Sequence, residues 1–175
     1  MVALGNSARA SAQTDPGSLE YQVKAAYLLN FTRYVEWPRT SLPAEAPLEI
    51  CILGDDPFGE AIDRAIRGQR SQGRPVTVRR IESDEGAYRC HLVFVTDESW
   101  NRWRTLVASL TSRGILTVGN SGQFSRDGGV IGFVISNETV RFAINLKAME
   151  RSGLKISSRM LSLATQLHQT EGTPF

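Results

Sequence analysis

Apolar positions recur at helical spacing over residues 19–37, LEYQVKAAYLLNFTRYVEW. There Leu19, Val23, Ala26, Tyr27, Asn30, Phe31, Tyr34 and Val35 mostly follow the spacing of one face and predict a first helix. Trp37-Pro38 ends it, because a proline ring pushes the residue before it out of the helical region. After a Pro- and Ala-rich loop at 39–47, the run LEICIL (48–53) predicts a strand, stopped by Gly54-Asp55-Asp56-Pro57. Asp56 is placed to cap a helix with Pro57 at its first position, running to about Arg67. PVTVRRI (75–81), HLVFV (91–95) and ILTVG (115–119) predict three more strands, with a helix from Trp100 to Leu110 opened by Asp97-Glu98-Ser99. GNSGQFSRDGG, residues 119–129, holds four glycines without a core pattern and reads as loop. VIGFVI (130–135) and VRFAIN (140–145) flank Ser136-Asn137-Glu138-Thr139 and predict an antiparallel hairpin. Helical sequence follows from Leu146, interrupted at Ser152-Gly153, with Leu154, Met160, Leu161, Ala164 and Leu167 as the apolar set of its second part. This order predicts a single α/β domain: a mixed, mostly parallel sheet with an antiparallel hairpin, flanked by helices.

The length of 175 residues suits one domain, placed at 19–168, with a leader at 1–18 and a flexible tail at 169–175. The leader contains Ala8-Arg9-Ala10 and Ala10-Ser11-Ala12, small-x-small patterns like those before a signal-peptidase cut, so it reads as a signal-peptide remnant or as a disordered leader. Seventeen arginines and three lysines are scattered and the net charge is only +2, which argues against nucleic acid as a partner. No apolar run reaches the length of a membrane span. Cys51 and Cys90 fit either one disulfide in an oxidising compartment or two buried thiols. With no CxxC pair and no histidine cluster, they do not make a metal motif.

Chemistry is sparse along the chain. Asp55, Asp56 and Asp97 follow strands and could in principle hold Mg²⁺ as in a phosphoryl-accepting receiver, but the fourth strand runs into Val118-Gly119-Asn120 with no lysine. Asp56 and Asp97 are equally explained as helix-start residues. His91 begins a strand and reads as a satisfied rim residue; His168 sits near a fraying end, and neither has a nucleophile in an elbow. No catalytic set, cofactor or metal is therefore expected. Arg151, Lys155 and Arg159 are four apart. If the helix continues through Gly153 they form a basic stripe, either a solvated face or a recognition face for an acidic partner or a phosphate-bearing ligand.

Three segments resemble the YfiR family of periplasmic proteins. They are KAAYLLNFTRYVEWP (Lys24–Pro38), ICILGDDPFG (Ile50–Gly59) with CHLVFV from Cys90, and GGVIGFVISNETVRFAINLKAMERSGLKISSRMLSLA (Gly128–Ala164). The resemblance implies a periplasmic, non-enzymatic, homodimeric repressor. Such a protein binds the periplasmic sensor region of an inner-membrane diguanylate cyclase, limits cyclic-di-GMP and biofilm formation, and is itself sequestered by an outer-membrane lipoprotein. It also implies a Cys51–Cys90 disulfide, while the second disulfide of some members has no counterpart after Cys90. The alternative is a periplasmic small-ligand receptor of another signalling system, with a crevice at Asp55, Asp56 and Asn120.

Overall fold

Continuous apolar runs become strands buried on both faces, and the helices between them return the chain so that those strands lie parallel. The computed structural model describes residues 16–39, 42 and 45–170; the leader through residue 15 and residues 171–175 of the expected tail lie outside them. In chain order the elements are α1 (Pro16–Tyr34), β1 (Val35–Glu36), β2 (Leu48–Leu53), α2 (Glu60–Ile66), β3 (Arg70–Ser71), β4 (Arg74–Ile81) and α3 (Asp84–Ala87). Then come β5 (Leu92–Val95), α4 (Asp97–Ser112), β6 (Leu116–Gly119), α5 (Gly122–Arg126), β7 (Ile131–Ser136) and β8 (Thr139–Asn145). The chain continues as α6 (Leu146–Ser152), β9 (Lys155–Ile156), α7 (Ser158–Leu163) and β10 (Gln166–His168).

The main sheet runs β10-β8-β7-β6-β5-β2-β4-β3, and β1 pairs with β9 apart from it. Strands β4, β2, β5, β6 and β7 are parallel, in registers such as Ile50↔Leu92 and Phe94↔Val118. The expected hairpin is β7–β8, antiparallel with Phe133 opposite Phe142. The chain goes from β2 to β4 on one side and then to β5 on the other, so the topological switch lies between β2 and β5.

Side-chain alternation divides the core. Leu48, Ile50, Ile52, Leu92, Phe94, Leu116 and Val118 pack with Leu28 and Phe31 of α1 and Ile62 of α2. Cys51, Leu53, Val93 and Val95 pack with Trp100, Trp103, Val107 and Leu110 of α4 and with Phe124 of α5. Full burial of each such large side chain contributes about 1.5–3 kcal/mol.

The structure corrects several local expectations. In α1 the buried face is Lys24, Ala25, Leu28, Phe31 and Thr32, while Leu19 and Val23 are 56% and 37% exposed, so the stripe is rotated and includes a charge. The helix stops at Tyr34 because Val35 and Glu36 pair with Ile156 and Lys155. Helix α2 starts at Glu60 behind Gly59, at φ 50°, instead of at Pro57; Asp56 accepts from the Phe58 amide at 2.8 Å. The segment 119–129 contains α5. Phe124, 2% exposed, sits against Gly119 and Gly129, where a Cβ would fall 2.0 and 1.9 Å from its ring carbons. Helix α6 ends at Gly153, whose φ of 66° is easy only for glycine, and no helix carries the chain onward from there. Lys155 therefore lies in a strand and Arg159 in the short α7, which Ser157 caps by accepting from the Met160 amide. His168, expected at a fraying end, is in β10 opposite Asn145, and Thr170 donates to the Arg126 carbonyl at 3.0 Å.

Candidate functional site

The carboxyl-terminal ends of the parallel strands are the usual ligand crevice of such sheets. Here their polar groups are engaged with one another. Asp56 forms an ion pair with Arg80 at 2.9 Å, and Arg80 also clasps Asp63 at 2.6 Å and the Gly59 carbonyl at 2.8 Å. The guanidinium beside Asp63 holds that carboxyl below its ordinary value of 3.8. Asn120 accepts from the ammonium of Lys24 at 2.7 Å and from the Tyr21 hydroxyl at 3.4 Å.

Lys24 is the residue that sequence reading missed. It is 1% exposed, pairs with Glu20 one turn earlier, and lies 4.8 Å from the Tyr21 ring centre and 5.6 Å from that of Phe133. Burial pushes the Tyr21 phenol up. A signal was available: Lys24, Leu28, Phe31 and Val35 share a helical face, with Glu20 four residues before the lysine. A lysine thus does reach the residue after β6, but through space from α1, and it is occupied by Asn120 and Glu20. Asp55 is exposed and Asp97 lies in the first turn of α4, so the three aspartates have separate structural settings.

Cys51 in β2 and Cys90 before β5 form a disulfide, with S–S 2.02 Å and Cα atoms 6.0 Å apart. Arg79 in β4 sits over it, its Nη2 3.8 Å from the Cys90 sulfur and 4.0 Å from that of Cys51, while pairing with Glu49 at 2.9 Å. Glu49 and the two sulfurs are close enough to suggest metal donors, but the sulfurs bind each other and the carboxylate binds Arg79.

At the opposite, amino-terminal end, Trp37 donates its indole N–H to the His91 carbonyl at 3.1 Å, and His91 Nδ1 accepts from the Glu49 amide at 3.0 Å. His91 is thus the satisfied rim residue expected. Arg151, Lys155 and Arg159 are all exposed, but on α6, β9 and α7 respectively, so they do not form one helical stripe. Arg151 reaches the Gly128 carbonyl, before β7, at 3.5 Å, and Lys155 stands across from Glu36. Among the described residues none of the three makes an ion pair.

These features define a disulfide-locked α/β domain in which the buried Lys24 is paired with Asn120 and Glu20. A family model matches residues 21–165, and the chain belongs to the YfiR/HmsC-like family. Proteins of this family are non-catalytic periplasmic regulators that repress a membrane diguanylate cyclase and so control cyclic-di-GMP and biofilm formation. Among solved structures, the fold is similar to that of the ABC domain from Streptococcus pneumonia in complex with L-Trp. That match has a TM-score of 0.56 at 14% identity and covers 82% of this chain and 61% of that one. It is also similar to a conserved domain protein from Vibrio cholerae O1 biovar El Tor strain N16961, with a TM-score of 0.56 at 9% identity, covering 82% of this chain and 60% of that one. At such identities the likeness concerns the fold alone, and this chain spans about three fifths of either structure's length.

Proposed function

We propose that this chain is a periplasmic repressor that docks on the periplasmic sensor region of a membrane diguanylate cyclase and holds cyclic-di-GMP synthesis down. Family membership over residues 21–165 is the observation that carries this reading. In the same reading the working form is a homodimer, an outer-membrane lipoprotein draws the repressor away from the cyclase, and nucleic acid is not a partner.

The docking surface includes Arg151, Lys155 and Arg159. Its support is that all three cations are exposed and lack carboxylate partners among the described residues, although three different elements present them. Unpaired surface cations steer an acidic partner and set the salt dependence of its association. Titration of the purified periplasmic region of the cyclase with wild type and Lys155→Glu, at two salt concentrations, tests this. The variant should fold normally and bind more weakly, with a smaller salt dependence. Equal affinity and equal salt dependence would remove Lys155 from the interface.

A further inference from the structure

The arginines are scattered along the sequence and the net charge is only +2, but the fold sorts the charges. In a parallel sheet the chain leaves each strand at the carboxyl-terminal end and enters the next at the amino-terminal end, so a residue's place beside a strand fixes its end of the domain. Asp55 follows β2, Glu82, Asp84 and Glu85 follow β4, and Asp97 and Glu98 follow β5. All are exposed, and none makes an ion pair among the described residues. Arg89 precedes β5, Arg113 precedes β6 and Arg126 precedes β7; these too are exposed and outside the ion pairs of the described residues.

More cations reach the amino-terminal end from other segments. Arg39 follows Trp37, whose indole bonds the His91 carbonyl in front of β5, and Arg151 reaches the Gly128 carbonyl in front of β7. Lys155 lies in β9, paired with the β1 residues that run into Trp37. Of the described carboxylates at this end, Glu49, Asp127 and Glu150 are bound by Arg79, Arg104 and Lys147, which leaves Glu36 and Glu45. The domain is therefore polarised, basic at the amino-terminal end of its sheet and acidic at the other. Helix dipoles account for part of this: Asp97 and Glu98 stand in the first turn of α4, and Arg126 and Arg151 in the last turns of α5 and α6. They do not account for Arg39 and Lys155, which are on no helix, or for Arg159, a cation in the first turn of α7.

The basic end is broad. Arg89, Arg113 and Arg126 precede three adjacent strands, spaced about 4.8 Å apart. Arg89 and Arg113 also line one cleft with Trp37 and Tyr88, and the Tyr88 ring, 38% exposed, lies 4.6 Å from the Arg113 guanidinium. Cations spread over a whole end of the domain suit a flat anionic surface, because mobile lipid headgroups gather under them without a matching socket. A half-exposed phenol beside them suits the same interface. The acidic end is repelled from that surface, so the field sets orientation as well as attraction.

We propose that the amino-terminal end of the sheet docks on a bilayer containing anionic phospholipid, with the acidic end pointing away. The surface takes in Arg39, Arg89, Arg113 and Arg126 beyond the three cations assigned to the cyclase. In the repression reading it holds the chain beside a membrane-anchored partner. Lipid contact is measured without the cyclase, so its failure would leave that reading standing.

The test is co-sedimentation of the oxidised full chain with vesicles of phosphatidylcholine and phosphatidylglycerol in equal parts, against phosphatidylcholine alone, at low and high ionic strength. The chain should sediment with the anionic vesicles, stay in solution with the neutral ones, and dissociate as salt screens the cations. Arg89→Glu and Arg113→Glu, both exposed and checked by thermal melting, should each weaken binding roughly fivefold or more, from the contribution of one cation near a charged bilayer. Arg141→Glu makes the same change of net charge on β8, near the hairpin turn at the other end, and should bind within about twofold of wild type. Equal sedimentation with neutral vesicles would overturn the proposal. So would no sedimentation with anionic vesicles at low ionic strength, a result that assigns the basic end to an acidic protein surface. Arg141→Glu weakening binding as much as Arg113→Glu would overturn it too, by reducing the effect to net charge.

Discussion

Reducing the Cys51–Cys90 bond without changing any residue isolates what the cross-link contributes. The bond closes a segment with a sequence separation of 39 residues that contains α2, β3, β4 and α3. In the chain-entropy model a loop of this size restricts the unfolded chain by about 4 kcal/mol. The folded side changes little. β2 and β5 are hydrogen-bonded neighbours, with Cys51 opposite Val93, so the sheet holds the two cysteines near each other. The side chains, 0% and 4% exposed, remain as small apolar groups when reduced. The loss of about 4 kcal/mol is large against a total of about 5–15 kcal/mol for a domain. At roughly 2–4 °C per kcal/mol it lowers the melting temperature by roughly 8–16 °C. Urea unfolding followed by tryptophan fluorescence, oxidised against fully reduced, measures it. The midpoint should fall and the slope m should rise, because the released unfolded chain exposes more surface. Coincident curves would refute the reasoning. A lower midpoint with an unchanged slope would also contradict it, by placing the effect in the folded state.

Three further outcomes follow from single contacts. Gly129→Ala puts a Cβ 1.9 Å from a ring carbon of Phe124 and should cost about 1–3 kcal/mol, whereas Gly153→Ala meets nothing within 4 Å and bears only the left-handed backbone penalty of about 1 kcal/mol. Urea midpoints that rank Gly153→Ala as the worse would contradict the slot for Phe124. Lys24→Ala strands Asn120 and Glu20 and should cost about 2 kcal/mol, less than for a fully buried pair because Glu20 is 35% exposed; Lys24→Met, which keeps the stem, should cost less. Wild-type stability in the alanine variant would refute the bracing role. Burial first, and Arg126 second, hold the His168 imidazole below its ordinary 6.5. Below pH 6.5 the unfolded chain therefore takes up a proton that the folded one resists, and stability falls until the folded value is passed. Hydrogen exchange at Leu167 in β10, corrected for intrinsic rate, should show less protection below pH 6.5 than above it, and equal protection would count against this.

The parallel core was legible because LEICIL and HLVFV are buried on both faces and need no partner to be recognised as strands. The two- and three-residue strands were not, since Val35–Glu36 and Lys155–Ile156 are extended only by pairing with each other. Lys155 was read as helical for that reason: Gly153 looked like an interruption in a helix when it is a left-handed stop. The glycine-rich segment 119–129 was read as loop, but Gly119 and Gly129 are small to admit Phe124, a reason no local pattern contains. The site was harder still. Lys24 meets Asn120 across 96 positions, and the cleft joins Trp37, Arg89 and Arg113 from three separate segments. With two cysteines a bond could join no other pair, but the residues alone left two buried thiols open, and it was the family resemblance that implied the disulfide.

The most direct test of the account is cyclase activity itself. A membrane diguanylate cyclase from the same organism, reconstituted with its sensor region accessible, is assayed for cyclic-di-GMP with increasing amounts of this chain in its oxidised form. The account predicts a saturable fall in the rate, with Lys155→Glu needing a higher concentration for the same effect. A rate unchanged by wild-type protein, at concentrations where the family's regulators act, would contradict it.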